Sequence, residues 1–284
     1  MESATHPSPA GFTQLVAITP LQDLDPNCLI KGHSNTSCDL VLIESGCGTL
    51  MIDNRTMDIS GQQILALSPG QFCRWQHGSV RLKGIRLQLN PDFPEPVSKD
   101  VLFFHRFQFF YNSRHPTFYQ EAPNTFDRYF KLATNLYHEM TSPYSDRHEM
   151  GWSYISLLLV QLHRNYCEAY GIINERRIHT EAYRFKQLVE NHIRNLQKVE
   201  DYAEMLQLSR ITLNKVVRAQ YGLTATDYLK DRLAMEVIRE LLNTGKPIAK
   251  ISEDLLFSEP SSLIRFFRNK TGASPHAFRL ANRN

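Results

Sequence analysis

The sequence predicts an α+β protein of two domains: a β-rich front half, a pair of connecting helices and an all-α end. Three observations carry this expectation. The chain has 284 residues, enough for about two domains that each bury a core. Strand-length apolar runs recur between residues 12 and 115 and give way to helical periodicity from about residue 124. The last hundred residues contain an internal duplication.

The front half comes first. TQLVAI, DLVLIES, GTLMID, QQILALS and VRLKGIRLQL are separated by Gly, Pro, Asn and Asp, the spacing of a sandwich or small barrel over residues 12–115. MIDNRTMDI reads as a hairpin, and SPGQ at 68–71 as a turn between two strands. Next, NTFDRYFKLATNLYHEM, capped by Asn124 or Thr125, aligns Phe126, Phe130, Ala133, Tyr137 and Met140 on one helical stripe. A second helix over 146–170 repeats Ile155, Leu158, Leu159, Leu162 and Tyr166 and stops at Gly171. Leu157 and Val160 widen its apolar surface. The segment 124–171 is therefore expected either to contact a second copy of the chain or to lie buried between the two domains.

From residue 181 the pattern is helical to the end. SRITLNKVVRAQYGLTATDY (209–228) aligns with EPSSLIRFFRNKTGASPHAF (259–278) at a constant offset of 50, which pairs Leu213 with Leu263, Arg218 with Arg268 and Gly222 with Gly272. Upstream, VEDYAEMLQLS (199–209) aligns with IAKISEDLLFS (248–258) at an offset of 49. Each unit, 199–222 and 248–272, has the layout of a helix-turn-helix: a short helix with a small residue (Ala203, Ser252), a three-residue turn, a serine cap and a second helix. Ser209 and Ser258 are the expected caps. Leu213, Val216 and Val217 form the buried side of the first second-helix, and Leu263, Phe266 and Phe267 that of the other. The opposite sides carry Ile211, Asn214, Lys215 and Arg218, and Ser261, Ser262, Arg265 and Arg268 or Asn269. A helix with polar groups and cations on its outer side suits a DNA major groove.

Charge agrees with that reading. Residues 181–284 hold 17 Lys+Arg against 12 Asp+Glu, a surplus of +5, whereas residues 1–180 hold 15 against 17, or −2. An anionic partner is expected for the basic end. The composition, 42% hydrophobic and 21% charged, is that of a globular protein. The first twenty residues lack a basic segment followed by an apolar run, and ISLLLV is far shorter than the roughly 18 to 20 residues a membrane span needs, so a cytoplasmic protein is expected. The five cysteines, an odd number without metal-type spacing, are read as reduced, packed thiols.

Taken together, VEDYAEMLQLSRITLNKVVRAQYG, DYLKDRLAMEVIRELLNTGKPIAKIS and FSEPSSLIRFFRNKTGASPHAFR resemble the AraC/XylS-type transcription regulators, over the last hundred residues. The resemblance implies a domain over 181–284 in which a long helix at about 225–243 joins two helix-turn-helix units that enter successive major-groove segments. It further implies base contacts at Ile211, Asn214 and Lys215 and at Pro260, Ser261, Ser262 and Arg265, with Arg218 and Arg268 on phosphates. Leu256 stands where the family's second unit has a turn glycine, so that turn is expected to be strained or rebuilt.

Family members with a β-rich front half resemble cupin sensors, which here rests on GCGTLMID, Gly61 and SPGQFCRW. The expected architecture is an N-terminal cupin-like β-barrel, linker helices and an all-α C-terminal domain, with a small-molecule effector in the barrel near Phe72, Trp75 and His77. His33, His77, His105 and His115 form no His-x-His pair, so no metal or other cofactor is expected, and no enzyme. The alternatives are a metal-dependent cupin enzyme with a helical appendage and a regulator controlled by a protein partner. The expected partners are double-stranded DNA, the effector, a second copy of the chain and RNA polymerase, with no membrane.

Overall fold

The computed structural model describes residues 16–23, 33–34, 37–52, 55–69, 71–77, 81–90, 103–111, 118–119, 123–172 and 180–282. Its front half contains two antiparallel sheets. The first has the order β1-β8-β3-β6-β9, from β1 (Val16–Pro20), β3 (Cys38–Ser45), β6 (Gln63–Leu67), β8 (Lys83–Leu89) and β9 (Phe118–Tyr119). The second has the order β2-β7-β4-β5, from β2 (His33–Ser34), β4 (Cys47–Ile52), β5 (Arg55–Ser60) and β7 (Phe72–His77). The expected hairpin is β4–β5, paired antiparallel with Ile52 opposite Arg55.

Of the sandwich or small, cupin-like barrel expected from the sequence, the described strands form two facing sheets with no ladder between them, so the barrel is not closed. The reason lies at Gly46. β3 and β4 are consecutive in the chain but belong to different sheets, and the chain turns between them at Gly46, φ +117°. A Cβ there would lie 2.8 Å from the Arg81 carbonyl oxygen, so only glycine fits the corner.

β3 is buried on both faces, and its alternation sorts two cores. Val41 and Ile43 meet Leu50, Ile52 and Ile59 between the sheets. Asp39 faces the same way and takes a hydrogen bond from Arg86 Nε at 2.7 Å, an ion pair buried at both ends. Leu40 and Leu42 point outward onto α1 (Pro123–Met140) and α2 (Arg147–Ala169), where they share a core with Phe126, Ala133, Ile155 and Leu158. The 124–171 segment thus packs as a third layer on the front sheets. Leu157 remains 45% exposed on the outer side of α2. Five phenylalanines of residues 103–110 join this core, and Trp152 meets Phe103 at a tilt and Phe104 edge to face.

The C-terminal half is helical: α3 (Thr180–His192), α4 (Val199–Met205), α5 (Arg210–Tyr221), α6 (Ala225–Asn243), α7 (Ile248–Asp254), α8 (Pro260–Thr271) and α9 (Pro275–Asn282). Tyr202, Leu213, Val217, Val237, Leu241, Ile251, Leu263 and Phe267 build one core around α6. α6 also carries a buried ionic cluster. Glu236 binds Arg194 at 2.9 Å and Arg239 at 3.1 Å, Glu240 binds Arg194 at 2.6 Å and Lys246 at 3.1 Å, and Arg232 binds Glu190 of α3 at 2.5 Å. Burial alone would raise the Glu240 pKa, but hydrogen bonds from Arg194 and Lys246 outweigh it and hold the carboxyl below its usual value. Among the described residues no helix is long and apolar enough to cross a membrane.

Glu236→Ala removes a buried carboxylate that bonds Arg194 and Arg239, both partly exposed, and lies beside the buried Arg232, which keeps Glu190. The variant is expected to cost about 1 to 2 kcal/mol in urea unfolding, above the cost of an ordinary surface substitution.

Candidate nucleic-acid interface

The duplicated segments fold into two similar helix pairs, α4–α5 and α7–α8. α4 ends with Gln207 at φ +57° and α7 with Leu256 at φ +55°, so equivalent residues adopt the left-handed conformation. The bonds repeat too. Leu208 N–H donates to the Ala203 carbonyl at 2.9 Å, and Phe257 N–H to the Ser252 carbonyl at 2.9 Å, the six-residue closure of a Schellman motif. The small residues at 203 and 252 therefore sit where each first helix closes. The turn at Leu256 is strained without being rebuilt, because the closing bonds hold a side chain where glycine would rest freely.

The second helices differ in how they start. Ser209 caps α5 as expected, accepting a hydrogen bond from Thr212 N–H at 3.1 Å. In α8 the cap position is Glu259, with no side-chain capping bond, in place of the expected Ser258. Pro260 at the first helical position explains the shift: it pre-sets the helical φ and has no N–H to satisfy, and Ser258 Oγ lies 3.2 Å from Ser262 Oγ instead. Both helices end on a glycine in the left-handed region, Gly222 at φ +78° and Gly272 at φ +76°.

Leu213 and Val217 of α5 and Leu263 and Phe267 of α8 are buried; Val216 and Phe266 are half-buried. On the outer sides Ile211, Lys215, Arg218, Pro260, Ser261, Arg265 and Arg268 are exposed, while Asn214 and Ser262 are half-buried. Ile211 is 82% exposed. Lys215, Arg218, Arg265 and Arg268 form no ion pair with a described residue, whereas Arg194, Arg210, Arg232, Arg239, Lys246, Lys250 and Lys270 are each held by carboxylates. The four cations stand ready for an anion outside the chain. Asn214 is occupied differently: its Oδ1 accepts from Ala225 N–H at 3.0 Å and its Nδ2 donates to the Arg210 carbonyl at 3.0 Å.

A contact that local sequence patterns did not reveal joins the two halves. Gln220 Nε2, near the end of α5, donates to the His105 carbonyl at 2.9 Å. The His105 ring lies 4.4 Å from that of Tyr183 and stacks at 5.3 Å on Tyr111; Lys186 Nζ sits 4.5 Å above the Tyr111 ring. Both His105 ring nitrogens are buried without a hydrogen-bond partner, and burial, then the charge of Lys186, lower its pKa to about 3. The contact grips α3 and the end of α5 and leaves the exposed cations of α5 uncovered. Its residues lie as far apart as 105 and 220, so no local pattern could have disclosed it. The side chains of Phe72, Trp75 and His77, the expected effector contacts on β7, lie outside the described residues.

Residues 202–281 match a family described as Helix-turn-helix domain. Over 94 residues the chain is 23% identical to the Multiple antibiotic resistance protein MarA of Escherichia coli (strain K12), a match covering 33% of this chain and 74% of that protein. Over 115 residues it is 30% identical to the Msm operon regulatory protein of Streptococcus mutans serotype c, covering 39% of this chain and 41% of that protein. In fold, the chain is similar to ToxT from Vibrio cholerae O395, solved bound to (E)-4-(8-methylnaphthalen-1-yl)but-3-enoic acid, with a TM-score of 0.50 at 13% identity over 94% of this chain and 99% of that one.

Two outcomes follow from this geometry. Leu256 is 60% exposed, so Leu256→Gly sacrifices little burial and relieves the left-handed strain; a gain of about 1 kcal/mol is expected in chemical denaturation. His105 cannot take up a proton in the folded protein until pH nears 3, while the unfolded chain does so near 6.5. Stability is therefore lost as pH falls below about 6.5, by about 2 kcal/mol at pH 5 from this residue. Urea unfolding at pH 7 and pH 5 should show His105→Phe losing that much less than the parent.

Proposed function

We infer that this chain, an AraC-type DNA-binding transcription regulator, reads two adjacent major-groove segments through α5 and α8. The observation that carries the reading is the pair of repeated helices whose outer cations, Lys215, Arg218, Arg265 and Arg268, lack carboxylate partners within the described chain. The units sit at opposite ends of α6, whose 19 residues span about 28 Å, comparable to the roughly 34 Å of one turn of B-DNA. In this arrangement Ile211 and Lys215, and Pro260, Ser261, Ser262 and Arg265, face the bases, Asn214 stays bonded within the chain, and Arg218 and Arg268 bind phosphates. The DNA-binding domain is taken as 181–284, and the front domain, residues 12–115 with the helices of 124–171, as a cupin-like sensor. A small molecule held between its sheets would act on α5 through the His105–Gln220 contact. The outward side of α2 around Leu157 is the proposed contact with a second copy, and RNA polymerase the proposed downstream partner.

The test is binding of the full chain to duplexes selected from a random library, measured over a range of salt. Affinity should fall steeply with salt, and flat binding near zero affinity for every duplex would overturn the reading. Arg265→Ala should cost about 1 to 3 kcal/mol on the selected duplex and relax its base preference. Arg268→Ala should weaken selected and random duplexes alike and lower the salt slope by about 1.

A further inference from the structure

The outer side of α5 combines three features that together specify what it can read. First, Asn214 is spent. An asparagine on a reading helix recognises adenine by using both ends of its amide. Here the Oδ1 end holds Ala225 N–H, the first N–H of α6, and the Nδ2 end holds the Arg210 carbonyl, each at 3.0 Å. Ala225 N–H is one of the donors that a helix start leaves without an intrahelical partner, so turning Asn214 toward DNA would strip a cap from α6. Second, Ile211 is 82% exposed in the first turn of α5, although the buried side of that helix is already filled by Leu213 and Val217. Third, Ile211, Lys215 and Arg218 lie at successive helical turns along one stripe, and both cations lack an ion-pair partner among the described residues.

An aliphatic group in line with two available cations is complementary to one feature of the major groove, the 5-methyl of thymine, with phosphates at the groove edge. Neither an adenine nor a guanine edge offers an apolar group of this kind. We propose that Ile211 is the specificity-determining residue of the first unit, that it reads a thymine methyl by apolar contact, and that Asn214 serves as the internal clamp between α5 and α6. The proposal rests on the DNA-reading function above and adds the base and the chemical group that is read.

The experiment replaces thymine by deoxyuridine, one position at a time, in a duplex selected by the full chain, which removes the methyl and leaves every hydrogen-bonding group in place. One position in the half contacted by α5 should lose about fourfold in affinity, the equivalent of one methyl group withdrawn from apolar contact. Ile211→Ala should bind the thymine and uracil duplexes equally; because Ile211 is exposed, that variant retains the fold. Asn214→Ala should unfold more easily yet keep the full uracil effect and the same base preference. The proposal is overturned if no single uracil weakens binding in that half, if the effect persists in Ile211→Ala, or if Asn214→Ala changes which base is preferred. Failure to select any duplex is a different result, since it removes the DNA-reading function and the thymine contact with it.

Discussion

Two carboxylates on one helix, Glu236 and Glu240, hold the C-terminal domain in register. They lie buried on α6 between the helix pairs, and their partners come from every direction: Arg194 from the segment after α3, Arg232 and Arg239 from α6 itself, and Lys246 from the segment before α7. Lys246 in turn reaches Asp254 at the end of α7, and Arg232 reaches Glu190 on α3. The buried Glu236, Glu240 and Arg232 need these partners, and through them α6 is tied to α3 by Glu190 and to α7 by Lys246 and Asp254. The apolar core around Leu213, Val217, Leu263 and Phe267 contributes most of the burial, but apolar contacts are nondirectional and would accept a wider range of angles. The ionic cluster thus adds direction at the common support of the two helix pairs.

The same division between adhesion and alignment recurs at the junction of the two halves. Rings of Tyr111, Tyr183, Tyr221 and His105 supply contact area, and the Gln220 bond to the His105 carbonyl supplies direction. This junction touches α3 and α5. A change between the front sheets would thus reach α5 directly and α8 only through α6. The two helices are also unequal in chemistry. α5 begins on a bonded serine cap and presents Ile211; α8 begins on Pro260 and presents serines with Arg265.

Much of this was legible in the residues. The duplication appears in the sequence as a fixed offset and in the backbone as matched positive φ values at 207 and 256 and at 222 and 272. Helix periodicity located α1 and α2, the family resemblance implied α6, and the stripes of Leu and Phe located the buried sides of α5 and α8, because a 3.6-residue repeat sets both shape and burial. The cap of α8 was misplaced by one residue because serine is a good cap in isolation, while the competing preference of Pro260 for the first turn decides the start. The front strands fit a sandwich or a small barrel equally, because strand spacing carries no information on which strands share a ladder; the described strands fall into two sheets, and the chain passes between them at Gly46.

Local chemistry therefore settled the class of each element, the internal repeat and the cationic outer sides, since periodicity, caps and charge act over a few residues. Tertiary structure alone decided that Asn214 is turned inward and that His105 meets the end of α5. Those outcomes depend on partners 11 to 115 residues away, such as the Ala225 N–H and Gln220, which only the packed chain brings within hydrogen-bonding reach.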